Sequence, residues 1–261
     1  MELINVEALT FQNRTKNIWS KDEVTFDFGP VSFNFKAGET LAIVGDNSSG
    51  KSLLAKLLVG LETPKSGKIY MNGLELNGSN IRNRCHDIRM IFQNSGESLN
   101  PGLTLGSILE EPLRLNTKLD TQQRRLLIEQ TLRQVGLMEE HQFYYRHMLS
   151  DGQRQRIALA RALILNPKVI VADEPFAGLD PSVRSQAVNL LMKLQRDLGL
   201  GFVFISHNLG LVRHISDKVI VMKQGKVVES GKTDAIFNWP KHGYTKKLIA
   251  AHQALINRQN N

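Results

Sequence analysis

The chain has 261 residues, 41% hydrophobic and 22% charged, a balance that buries a core beneath a hydrated surface. No stretch approaches the roughly 18 consecutive apolar residues of a membrane-spanning helix, and Met1 to Asn5 lacks the basic region and apolar run of a signal peptide, so the chain is expected to stay where it is made. The single cysteine, Cys85, excludes an internal disulfide, and the net charge of +8 is scattered without a basic run or aromatic-interleaved ribbon, so it reads as a basic surface facing a membrane rather than as a nucleic-acid site.

In chain order, Val31 to Phe35 alternates apolar and polar residues as a half-exposed strand does, and Leu41 to Val44 is an apolar run typical of a buried strand. A glycine-rich loop and a helix follow. From about Asn100 to Met148 the pattern is helical, including a helix from Thr121 with Asp120 or Thr121 as its cap. Val169 to Ala172 and Phe202 to Ile205 are short apolar runs flanking an amphipathic stretch from Ser182 to Leu198. That is a β-α-β pattern, which predicts a parallel sheet. Lys218 to Met222, a Gln224-Gly225 turn and Lys226 to Glu229 predict a hairpin, and the last twenty or so residues a loop and a terminal helix.

Gly45, Asp46, Asn47, Ser48, Ser49, Gly50, Lys51 and Ser52 have the phosphate-loop spacing and stand between an expected strand and an expected helix, and these residues with Leu53 are expected to bind the nucleotide. In such a loop backbone N–H groups cradle phosphate oxygens, the lysine reaches the β and γ phosphates, and the Ser52 hydroxyl ligates Mg²⁺. ATP with Mg²⁺ is therefore the expected ligand. Asp173 and Glu174 close the apolar run from Val169, which puts two carboxylates at the carboxyl edge of a parallel sheet. Beside a phosphate loop, Asp173 is expected to hold Mg²⁺ and Glu174 to act as general base toward water.

Leu149, Ser150, Asp151, Gly152 and Gln153, continued by Arg154 to Arg156, resemble the signature motif of ABC-type ATPases, and Arg161-Ala-Leu with Asn166-Pro167 is that family's usual continuation. The resemblance implies further stations. Gln93 corresponds to the Q-loop, a Mg²⁺ ligand and a sensor of the transmembrane partner; Asp180 to the D-loop; His207 to the switch histidine; and Phe11 to the aromatic that stacks on adenine, though an apolar core role fits Phe11 equally. Catalytic roles would fall to Glu174, His207, Gln93 and Lys51. Ser98 to Pro101 and His242 to Thr245 resemble the oligopeptide and dipeptide importer class. Glu111 to Thr117 and Tyr144 to Met148 are similar to the F subunits, ATP-binding components, of bacterial Sap systems, which implies uptake of antimicrobial, cationic peptides.

The implied fold is α/β: a P-loop core with a mainly parallel sheet, an antiparallel β subdomain and an inserted helical subdomain. As one domain it would divide into residues 1–95 and 155–235 as core and β subdomain, about 96–154 as the helical part with the signature, and about 236–261 as a helical tail. The implied partners are a paralogous ATPase or a second copy, two transmembrane permeases and, indirectly, a periplasmic solute-binding protein, at the cytoplasmic face of the inner membrane. No nucleic acid is expected. Two rival readings remain: a non-transport ABC ATPase acting on nucleic acid or the ribosome, and a regulatory ATP-binding module with weak hydrolysis.

Two positions depart from the family pattern, which has glycine where Ser48 and Asp151 stand. If its loop position needs positive φ, Ser48 adopts it at some cost, with ATP binding expected to be retained. Asp151 would bring negative charge to a helix N-terminus that faces the partner's γ phosphate. At about 8 Å and an effective dielectric near 20 the repulsion is about 2 kcal/mol, so slow hydrolysis at that site is expected.

Overall fold

The computed structural model describes residues 2–15, 23–93 and 96–259; residue 95, where the sequence reading ends the first core segment, and the chain ends at residues 1 and 260–261 lie outside these. Its elements begin with strands β1 (Glu2–Thr15), β2 (Glu23–Lys36) and β3 (Thr40–Gly45), helix α1 (Lys51–Val59), strands β4 (Ser66–Met71) and β5 (Leu74–Glu75), helix α2 (Ile81–Asp87) and strand β6 (Ile88–Ile91). Helices α3 (Leu105–Asn116), α4 (Thr121–Gln134) and α5 (Asp151–Leu163), strand β7 (Val169–Asp173) and helix α6 (Pro181–Leu198) come next. The chain closes with β8 (Gly201–Ile205), α7 (Leu209–Ile215), β9 (Lys218–Lys223), β10 (Lys226–Lys232), α8 (Thr233–Asn238) and α9 (Gly243–Gln259).

Two compact units result: Met1–Ile81 with Gly201–Asn261, and Arg82–Leu200. In the first, an antiparallel sheet runs β2-β1-β4-β5. Beside it β3 lies between β8 and β9, parallel to both, and β10 returns antiparallel to β9. A strand flanked on both sides and covered on both faces reads as an unbroken apolar run, and every residue of β3 is buried. Ala42 and Val44 of β3 share one core with Val219 and Val221 of β9, Leu209 and Val212 of α7, Ile236 and Phe237 of α8, and Ile249 of α9. The expected hairpin is β9-β10. The six-residue helix α8 was not foreseen, since it holds too few turns for a period to register.

In the second unit β6 and β7 pair in parallel. The stretch expected to be helical holds α3, α4 and two short 3₁₀ turns, Glu139–Phe143 and Arg146–Met148. Asp120 is the cap of α4: its carboxylate accepts from the Gln123 amide at 2.8 Å, and Gln123 returns a bond to the Asp120 amide at 3.0 Å. Arg124 ties α4 to α3 through Glu110 at 2.9 Å. Helix α6 opens on Pro181 and ends at Gly199, whose φ of 64° closes the last turn.

Candidate nucleotide site

The phosphate loop begins where β3 ends. Gly45 has φ 150°, and a Cβ there would lie 2.1 Å from the Met222 carbonyl oxygen of β9, so only glycine lets the chain leave the strand at this point. Ser48 sits at φ 62°, the left-handed conformation expected for it, and Gly50 at φ 100°. Gly50 is the N-cap of α1 and brings no side-chain cap, so the helix opens on backbone N–H groups with their partial positive charge. Lys51 is buried, and its ammonium donates to the carbonyls of Gly45 at 2.8 Å and Asp46 at 2.7 Å. Asn47 and Ser52 are exposed, Ser49 is buried and Leu53 half-buried.

Residues distant in sequence brace this loop. The Gly225 amide, in the β9-β10 turn, donates to the Ser49 carbonyl at 3.0 Å, and the Asp46 amide donates to the Tyr244 hydroxyl of α9 at 2.9 Å. The Phe28 ring of β2 lies against Gly50, 3.0 Å from where a Cβ would stand. Phe11, half-buried in β1, is the cross-strand neighbour of Phe28. His207 is exposed two residues beyond Ile205, which pairs with Ile43 of β3. It therefore shares the carboxyl edge of the parallel strands with the loop. Asn208 follows and caps α7, accepting from the Leu211 amide at 3.0 Å.

The second unit carries the remaining candidates. Ile91 of β6 pairs with Ala172 of β7, so Gln93, which is exposed, and the Asp173-Glu174 pair, both half-buried, emerge from one edge of these two strands. Glu174 has φ 49°, a conformation uncommon outside glycine and asparagine, and the following turn is closed by the Ala177 amide on the Glu174 carbonyl at 3.1 Å. Asp180 is the N-cap residue of α6, its carbonyl accepting from the Arg184 amide at 2.9 Å.

The signature residues form the start of α5. Ser150 is the N-cap, accepting from the Gln153 amide at 3.3 Å, while the Gln153 side chain accepts from the Ser150 amide at 2.9 Å. A Cβ on Gly152 would lie 3.1 Å from a Val183 methyl of α6. Asp151 is ion-paired with Arg154 one turn on, and Arg154 also donates to the Leu149 carbonyl at 3.0 Å. The repulsion argued from Asp151 alone thus meets a compensating cation in the same helical turn.

All three Mg²⁺ candidates, the Ser52 hydroxyl, the Gln93 amide and the Asp173 carboxylate, are oxygen donors, the class this cation takes. The buried Lys51 and the loop ahead of α1 suit a phosphate chain. Sequence reasoning missed Tyr244, Gly225 and Arg154. Tyr244 lies within a motif noticed only as a class marker, and Arg154 was readable as the i+3 partner of an acid on a helix.

Comparison with known proteins shows the family. The ABC transporter family model matches residues 28–177. SapF of Escherichia coli K12, named as the ATP-binding protein of a putrescine export system, is 46% identical over 250 residues, covering 96% of this chain and 93% of that one. SapF of Escherichia coli O6:H1, named for peptide transport, has the same identity and coverage. DppF of Escherichia coli K12, a dipeptide transport ATP-binding protein, is 47% identical over 239 residues, 90% of this chain and 72% of that one. Among solved structures, a dimeric ATP-binding cassette in a post-hydrolysis state with ADP and Pi superposes with a TM-score of 0.73 at 27% identity, covering 88% of this chain and 98% of that one. A family model over more than half of the chain and a relative matched nearly end to end lead to one conclusion: the chain belongs to the ABC transporter family, as an ATP-binding and ATP-hydrolysing subunit.

Proposed function

We propose that this chain energises a bacterial importer of peptides, cationic peptides among them, from the cytoplasmic face of the inner membrane. It would work with two transmembrane permeases and a second ATPase, paralogous or identical, downstream of a periplasmic solute-binding protein. The observation that carries the reading is the buried Lys51 ammonium at the mouth of a phosphate loop, with His207 on the same sheet edge, in a chain aligned over 96% of its length with a transport ATPase. Among the described residues no helix is long and apolar enough to cross a membrane, and the proposal gives the solute path to the permeases.

The roles follow from the chemistry of each group. Lys51 exchanges the Gly45 and Asp46 carbonyls for phosphate oxygens, and the backbone N–H groups opening α1 hold the same anion. Ser52, Asp173 and Gln93 hold Mg²⁺, which when bound neutralises charge on the phosphates. Glu174 takes a proton from the attacking water, and His207 donates a hydrogen bond to the γ phosphate. Ser150 and Gly152 act on the ATP held by the second ATPase, and Asp180 lies beside that contact. Closing and reopening of the pair would move the permeases between two access states.

A second reading, putrescine export, is favoured by the name of the K12 SapF. Both solutes are cationic, and cargo decides between them. The test is ATP turnover of the reconstituted complex with cationic peptides, dipeptides or putrescine supplied on one side of the membrane at a time. Stimulation by peptides from the outside supports import, stimulation by putrescine from the inside supports export, and stimulation by none of them removes both.

A further inference from the structure

The C-terminal segment reaches the nucleotide loop through a chain of contacts. Glu229 of β10 accepts from the backbone amides of Lys241 at 2.8 Å and His242 at 3.0 Å. The His242 imidazole accepts from the Tyr244 amide at 3.2 Å, orienting the first turn of α9. The Tyr244 ring packs on the core that β3 shares with α7, α8 and β9, the Lys223 ammonium lies 5.0 Å over its face, and its hydroxyl takes the Asp46 amide. Burial first, then the Asp46 side chain, push this phenol up to about 12, so it stays neutral through the physiological range. Its oxygen therefore remains an acceptor that does not compete with phosphate as an anion would.

We propose that Tyr244 is a positioning residue of the phosphate loop: by holding the Asp46 amide it fixes where the chain turns out of β3, and Glu229 holds the segment that carries it. The contact joins residues 198 apart in sequence, so it constrains the loop from outside. Its geometry matters because Lys51 is held by the carbonyls of Gly45 and of Asp46 itself. A loop free to rotate at Asp46 loses the arrangement of that carbonyl and of the N–H groups after it. The C-terminal helix is in this way part of the ATP site, without touching the reacting atoms. The inference rests on the loop being the phosphate site.

Tyr244→Phe deletes one oxygen and keeps the ring, its packing and the lysine above it. The experiment measures MgATP affinity and melting temperature of the full chain, and KM and kcat of the assembled complex, for wild type, Tyr244→Phe, Glu229→Gln and Lys51→Ala. Loss of one hydrogen bond to a loop amide predicts about fivefold weaker MgATP binding and a matching rise in KM for Tyr244→Phe, with kcat at saturating ATP unchanged and the nucleotide-free melting temperature lowered by no more than about 2–4 °C. Glu229→Gln shifts affinity in the same direction by less. Wild-type affinity in Tyr244→Phe overturns the inference, as does a loss in that variant that comes with a melting temperature lowered by more than about 4 °C. If Lys51→Ala also binds MgATP normally, the phosphate-site reading itself is what fails.

Discussion

Removing the charge of Arg154 should slow ATP turnover, and restoring the family's glycine at Asp151 should undo the damage. The N-terminus of α5 carries about half a positive charge from its aligned peptides. Asp151 alone would reverse that sign, and the ion pair with Arg154 returns the first turn to net positive. If this helix end faces the partner's γ phosphate at about 8 Å with an effective dielectric near 20, one uncompensated charge costs about 2 kcal/mol. The Arg154 and Asp151 side chains keep 27% and 71% of their surface exposed, so solvent screening reduces this to about 1 kcal/mol, or about fivefold in rate. The assay is turnover of the complex at saturating ATP for wild type, Arg154→Gln, Asp151→Gly and the double variant. Arg154→Gln should be about fivefold slow, Asp151→Gly should match or exceed wild type, and the double variant should lie within about twofold of it. Equal slowness in Arg154→Gln and the double variant would refute the charge argument and leave Arg154 acting through its bond to the Leu149 carbonyl.

Other consequences can be measured on the isolated chain. Ser48→Gly relieves a left-handed serine but adds freedom to the unfolded chain; the two terms, each about 1 kcal/mol, oppose each other, so urea midpoint and ATP affinity should change little. Gly45→Ala sets a methyl 2.1 Å from the Met222 carbonyl, so ATP binding should be lost together with about 1–3 kcal/mol of stability in urea titration. Glu229 gives a pH signature. Burial works to raise its carboxyl, but the nearby Thr245 hydroxyl and the bonds from the Lys241 and His242 amides outweigh it and hold it below its ordinary 4.5. A depressed folded value adds stability above the unfolded one, lost as pH falls through the folded value. The stability gap between wild type and Glu229→Gln should therefore be constant from pH 8 to about 5.5 and narrow below about 4.5.

What could be read in the sequence was whatever is local. The glycine, lysine and serine spacing of residues 45–52 names a strand-loop-helix junction because each residue type is demanded by the loop's own backbone, and Gly45 and Gly50 do take positive φ. The Ser150 and Gln153 cap and the Asp120 cap are likewise written within four residues. The braces on the loop were not legible. The contacts of Ser49 with Gly225 and of Asp46 with Tyr244 join the loop after β3 to the β9-β10 turn and to α9, and no short window of sequence contains both partners. Asp151 read alone is one charge, whereas the structure adds the ion pair with the arginine three residues on. For Phe11 the two expected roles stay side by side, since a half-buried ring opposite Phe28 serves either packing or stacking.

The measurement that bears most directly on the account is ATP hydrolysis by the complex purified with its membrane partners, wild type against Glu174→Gln, with bound nucleotide counted in both. The account predicts that turnover collapses while nucleotide remains bound, because the variant keeps the loop and Lys51 but cannot take a proton from water. Unchanged turnover in Glu174→Gln would contradict it: the second ATPase would then do the chemistry, and this chain would bind ATP only to transmit closure.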